Sequence, residues 1–146
     1  MKKIHLATLF SGIGAIEQAF DKKHIKYDIV FACDNGERYI KESYEDILKS
    51  LKGKSDLEIQ KAVKNIYDST GKPNNVKKTY CANYNISEDR WFEDIRFLNG
   101  EQFKGKVDLL VGGSPCQSFS ISGKRAGLED TRGTLFFDYA RLIKET

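Results

Sequence analysis

The stretch IHLATLFSGIG, residues 4–14, decides how this chain folds. Ile4 to Phe10 is a short, mostly apolar run that suits a buried strand, and Ser-Gly-Ile-Gly closes it. Gly14 to Phe20 then places Ala15, Ile16, Ala19 and Phe20 on one face of a helix. Tyr27 to Cys33, YDIVFAC, repeats the apolar run, and a second helical pattern passes through Tyr39, Ile40, Tyr44, Ile47, Leu48 and Leu51. Strand, helix, strand, helix is the alternation of a parallel sheet with crossover helices, so the reading is an α/β fold. Lys106 to Gly113, KVDLLVGG, adds a third clear strand, and Trp91 to Phe97 a candidate short one with its carboxyl-side turn.

The intervening segment, about residues 45–78, is lysine-rich and reads as a helical insertion with a solvated face. Ser55 and Glu58 form a capping-box pattern ahead of Leu57, Ile59, Val63, Ile66 and Tyr67, and Gly71 with Pro73 supplies a stop. Tyr80 to Tyr84 finishes a helix. Ser114 to Gly133 has little apolar content, and so long a connection inside an α/β unit is usually functional. Helical spacing resumes from Leu135 to Ile143, with Thr134 as the expected N-cap. No further strand follows. The expectation is a partial doubly wound sheet, the front part of a larger one, whose strand at residues 107–111 leaves an apolar edge unpaired.

Composition narrows the partners. The chain has 146 residues, 40% hydrophobic and 12% aromatic, which is enough for a core and rules out a disordered chain. Its net charge of +3 argues against nucleic-acid binding driven by overall charge and leaves room for a local basic surface. No apolar run approaches a membrane span, and the N-terminus lacks the apolar stretch of a signal peptide. Three cysteines without CxxC spacing argue against a disulfide framework or zinc cluster and for a reducing cytoplasm. His5 and His24 stand alone, so no metal is expected.

In open α/β sheets, ligands bind outside the carboxyl ends of the strands. Four such ends line up: residues 10–14, Asp34, Asp94, and Gly113 to Cys116. Gly12 and Gly14 permit close approach of a ligand to backbone, although the same turn also reads as plain packing. Asp34 lies twenty residues beyond Gly14, where an acid that binds ribose hydroxyls is expected, and it reads equally as a helix N-cap. Asp94 is either an exposed turn residue or an acceptor for an adenine amino group. Glu17 occupies the place of the third glycine in the dinucleotide fingerprint. A carboxylate there disfavours a pyrophosphate and tolerates a nucleoside without phosphates, such as S-adenosylmethionine with its positive sulfonium. Cys33 and Cys81 read as buried small hydrophobes. Cys116, between Pro115 and Gln117 at the mouth of the long connection, reads as a nucleophile or as a structural residue. An ordinary thiol, of pKa about 8.5, is only a few per cent thiolate at pH 7, a handicap of roughly 2 kcal/mol. Lys124, Arg125 and Arg132 can supply a positive field, contact phosphates, or merely keep the segment soluble.

The runs TLFSGIG (8–14) and VFACDN (30–35), the pair Asp94-Ile95, and the block GGSPCQSFSISGKRAGLEDTRGTLFFDYARLI (112–143) together resemble the DNA cytosine C5-methyltransferases. The resemblance covers most of the chain outside residues 45–78. It implies a Rossmann-like sheet binding S-adenosylmethionine, double-stranded DNA as substrate, and a target cytosine rotated out of the duplex. By resemblance, Cys116 is the nucleophile that adds to cytosine C6. Phe10, Gly12, Ile13, Gly14, Asp34, Asn35, Asp94, Ile95, Gly113, Pro115 and Leu135 are then expected at the cofactor, and Gln117, Ser120, Ser122, Lys124 and Arg132 at DNA. The family's Glu-Asn-Val segment and target-recognition region are missing here. A C-terminal complement, as second subunit or missing remainder, is therefore the expected partner, and the chain alone is expected to be inactive. Two other readings stand beside this one: a non-catalytic cofactor-binding or scaffold fragment, and an RNA-directed cytosine C5-methyltransferase. The setting implied is bacterial or phage-type, in DNA methylation or restriction-modification.

Overall fold

The computed structural model describes residues 2–114 and 131–146. Their strands are β1 (Ile4–Leu9), β2 (Tyr27–Cys33), β3 (Trp91–Phe92) and β4 (Leu109–Gly112). All pair in parallel, in the order β3-β2-β1-β4. The chain lays β2 and then β3 on one side of β1 and returns to add β4 on the other. That reversal makes the crevice above β1 and β4 a topological switch point. The helices are α1 (Ala15–Lys22), α2 (Tyr44–Leu51), α3 (Asp56–Asp68), α4 (Asn75–Asn83) and α5 (Thr131–Glu145).

The mostly apolar runs of β1 and β2 follow from burial on both faces of the sheet. Ala7, Leu9, Phe31, Cys33, Phe92, Ile95 and Leu98 pack with Leu142 of α5 on one face. Ile29, Ala32 and Trp91 pack with Tyr80 and Tyr84 on the other. Register between β1 and β2 skips Val30, which is why Ile29 and Phe31 face opposite ways despite their spacing. A third cluster, Ile47, Leu51, Val63 and Tyr67, joins α2 to α3. The Ser55 capping box is present: Ser55 N donates to Glu58 Oε2 at 2.8 Å and Glu58 N to Ser55 Oγ at 3.4 Å.

Several boundaries differ from the sequence reading. Tyr39 and Ile40 are not helical, because Gly36 and Glu37 adopt left-handed φ of 63° and 55° and the helix restarts at Tyr44 behind its Ser43 cap. The strand expected over Trp91 to Phe97 ends at Phe92, and Asp94 caps a 3-10 turn over Ile95–Phe97. β4 begins at Leu109 rather than Lys106, since a turn with Gly105 at φ 70° precedes it. Thr134 is not an N-cap; α5 already starts at Thr131. Cys81 is only half-buried.

Leu109, Phe136, Phe137 and Ile143 leave apolar surface along β4 and α5 among the described residues. No helix among them is long and apolar enough to cross a membrane.

Candidate functional site

At the tip of β1 the chain leaves the strand through Phe10, at φ 52°, and Gly12, at φ 56°. Ser11 stitches this turn to the neighbouring strand: its Oγ accepts from Cys33 N at 3.1 Å and its amide donates to Cys33 O at 3.2 Å. Asp34, one residue beyond β2, completes the join. One carboxylate oxygen accepts from Gly12 N at 2.9 Å and the other from Gly36 N at 2.8 Å. The N-cap alternative for Asp34 therefore fails, because no helix starts there; the side chain instead caps two glycine amides. A carboxylate accepts about four hydrogen bonds, so two positions remain open among the described contacts.

The two glycines of the turn are needed for different reasons. A Cβ on Gly12 would meet nothing within 4 Å, so its backbone lies open to an approaching ligand. A Cβ on Gly14, at φ 91°, would fall 2.1 Å from Cε2 of Tyr84, whose hydroxyl donates to Gly14 O at 2.7 Å. Gly14 is thus a packing glycine. Ile13 between them is 59% exposed. Asn35 turns inward on its own loop, accepting from Glu37 N at 3.0 Å and donating to Arg38 O at 3.2 Å.

Asp94, at the tip of β3, is buried rather than an exposed turn residue. Its Oδ1 accepts from Arg96 N and Arg96 Nε, each at 3.0 Å. Its Oδ2 accepts from Tyr67 at 2.7 Å and Arg96 Nη2 at 2.6 Å. Asp34 N also donates to Phe92 O at 3.1 Å, so both acids stand on adjacent tips. Ile95 is buried in the core, and Leu135 packs partly buried against the same cluster. Gly113 follows β4 with open space where a Cβ would stand. Pro115, Cys116, Gln117, Ser120, Ser122, Lys124 and Arg125 lie outside the described residues; Arg132 falls in the first turn of α5.

Glu17 departs furthest from its sequence reading. It points into the protein, 1% exposed, accepting from Tyr80 at 2.5 Å and Thr8 Oγ1 at 3.2 Å. Ala15 and Ala19, expected on the buried face, are exposed. The buried carboxylate raises the Tyr80 pKa, after burial itself, so the phenol stays a donor. Burial also pushes the Cys33 thiol far up and raises that of Cys81, so neither is a ready thiolate.

A parallel sheet with a glycine turn and two carboxylates on neighbouring strand tips is a Rossmann-like fold of the methyltransferase kind. The chain belongs to the C-5 cytosine-specific DNA methylase family, whose sequence model matches residues 53–146. It is 36% identical over 145 residues to an orphan methyltransferase, M.SPRI, of Bacillus phage SPR, covering 99% of this chain and 24% of that protein. It is 51% identical over 70 residues to the type II methyltransferase M.HpaII of Haemophilus parainfluenzae, covering 47% of this chain and 19% of the relative. M.HhaI of Haemophilus parahaemolyticus, also type II, is 42% identical over 74 residues, 42% of this chain and 23% of its own. The chain spans about a quarter or less of the length of these relatives.

Proposed function

We propose that this chain forms the donor-binding and nucleophile-bearing part of a DNA cytosine C5-methyltransferase that uses S-adenosylmethionine and works with a C-terminal complement. The observation that carries the donor reading is Asp34. Its carboxylate anchors the open Gly12 turn and keeps about two acceptor positions for the hydroxyls of a ribose. Phe10, Gly12 and Ile13 then line one side of the donor, with Gly14 packing the turn behind them against Tyr84, Asn35 beside the sugar, Asp94 and Ile95 toward the purine, and Gly113, Pro115 and Leu135 completing the site. Bound S-adenosylmethionine supplies an electrophilic sulfonium methyl.

Cytosine C5 is a weak nucleophile. The Cys116 thiolate bonds to C6 and moves electron density to C5, which would take the methyl group as its bond to the sulfonium sulfur breaks and S-adenosylhomocysteine is left; transfer of the C5 proton to water or another base then breaks the C6–S bond, which releases the thiolate and restores the ring. Gln117, Ser120, Ser122, Lys124 and Arg132 contact the DNA backbone or the space the extruded base leaves. Residues about 45–78 form an insertion into this catalytic domain. The apolar surface of Leu109, Phe136, Phe137 and Ile143 supports the need for a complement, because a free protein rarely leaves a strand edge and helix face of this kind open.

The test mixes this chain with a polypeptide supplying the remaining part, duplex DNA and labelled donor. Methyl transfer to cytosine C5 that disappears with Cys116→Ala supports the proposal; equal transfer by Cys116→Ala overturns it. Running tRNA in parallel separates a DNA substrate from an RNA one.

A further inference from the structure

The helical segment between β2 and β3 grips both acid-bearing strand tips. Tyr67, on the last turn of α3, is 1% exposed, and its hydroxyl donates to Asp94 Oδ2 at 2.7 Å. Arg38 lies over its ring, 5.0 Å from the centroid, and is itself tied to Asn35 O, Asp68 and Glu93. Asn74, the cap of α4, donates to the Asp34 carbonyl at 3.0 Å and to Glu93 at 2.8 Å. Its Oδ1 leaves no room for a side chain at Gly36, where a Cβ would come within 2.3 Å.

The two side chains that hold Asp94 are unlike. Tyr67 is sealed between Arg38 and the core, and burial followed by the adjacent Asp94 carboxylate drives its pKa up, so it remains a proton donor. Arg96 has a side chain 26% exposed and rests against Tyr44 and Phe97. Together with Arg96 N they fill the roughly four acceptor positions of the carboxylate. A ligand amine reaches Asp94 only by replacing one of them, and Arg96 is the one with solvent to move into.

We propose that Tyr67 is a positioning residue for the methyl donor: it holds Asp94 Oδ2 in place while Arg96 withdraws to admit the exocyclic amino group of the donor's purine. This rests on the donor-site reading above. The helical segment is then part of the donor site's support rather than a separate appendage.

The experiment titrates S-adenosylhomocysteine and its 6-oxo counterpart, which lacks the amino group, into the whole protein by calorimetry. Tyr67→Phe keeps the ring under Arg38, and a melting curve checks that it folds. It is expected to weaken the amino ligand about tenfold and to leave the 6-oxo ligand within about twofold, as for loss of a hydrogen bond to a charged group. Arg96→Gln, which does not depend on the Phe variant folding, is expected to retain the preference for the amino ligand. Equal weakening of both ligands by Tyr67→Phe, or loss of the preference in Arg96→Gln, overturns the proposal. Asp94→Ala separates the two layers. If it keeps the preference, the donor-site reading of Asp94 falls and takes this inference with it. If it loses the preference while Tyr67→Phe keeps it, the inference alone falls.

Discussion

Asp34 and Asp94 stand on adjacent strand tips and are held in opposite ways. Asp34 is fixed by backbone, one glycine amide to each oxygen, and among the described residues half of its acceptor capacity stays open. Asp94 is fixed mainly by side chains, a buried phenol and a guanidinium, with the Arg96 amide as its one backbone donor, and its capacity is filled. A carboxylate capped by backbone is ready for a ligand as it stands, whereas one held by side chains must exchange a partner first. The first serves affinity and the second serves discrimination, because only a ligand that replaces the lost partner recovers what was broken.

The sharpest way to break this contrast is to remove each carboxylate. Asp34→Ala takes away the acceptor of two glycine amides as well as the open ligand positions, so S-adenosylhomocysteine binding is expected to fall by about a hundredfold or more. Asp94→Ala is expected to lose only about tenfold, since Arg96 is released at the same time; calorimetry measures both, and equal losses would erase the distinction. Next come the glycines of the turn. Gly14→Ala adds a clash with the Tyr84 ring to a left-handed backbone and is expected to destabilise by about 2–3 kcal/mol, against about 1 kcal/mol for Gly12→Ala, read from urea unfolding. Glu17→Ala leaves the buried Tyr80 hydroxyl without its acceptor at about 1–2 kcal/mol, while Thr8 keeps its contact with Ser11 Oγ at 2.8 Å; donor affinity is expected to be unchanged once the protein is folded, because Glu17 is buried in the protein.

The smallest effect tests the clamp through pH. The Lys64 contact, with Arg38 beside it, lowers the Asp68 pKa below the ordinary carboxylate value. A carboxylate depressed in the folded state adds stability above its unfolded pKa of about 3.9 and loses it as pH falls through the lower folded value. The melting-temperature gap between the native protein and Asp68→Asn is therefore expected to be present at pH 6 and to close below about pH 4. A gap that widened in acid would contradict this sign.

The sheet was legible in the sequence because a strand buried on both faces has to be mostly apolar, as Leu6 to Leu9, with Thr8 the one polar residue, and Ile29 to Cys33 are. The Ser55 capping box was legible for a local reason, since it needs only a serine and a glutamate three residues apart. Glu17 was not, because a carboxylate within a helix gives no sign that a tyrosine from α4 waits for it. The same holds for Asp94, whose partner Tyr67 comes from α3 and whose β-strand is only two residues long. Tyr39 and Ile40 carried helical spacing, yet the left-handed backbone at Gly36 and Glu37 and the inward pull of Arg38 cost them the helix. What pattern reveals is periodic burial; pairwise polar contacts across the fold leave no period.

The central claim, that Cys116 is the attacking thiolate beside this donor site, is tested most directly with duplex DNA carrying 5-fluorocytosine. Fluorine at C5 cannot leave as the proton does, so the thiolate is not eliminated and the bond to C6 persists. With S-adenosylmethionine, this chain and its C-terminal complement, mass spectrometry is expected to find a methylated fluorocytosine nucleotide attached to Cys116. Methyl transfer to unmodified DNA by the same preparation, with no such adduct at Cys116, would contradict the account.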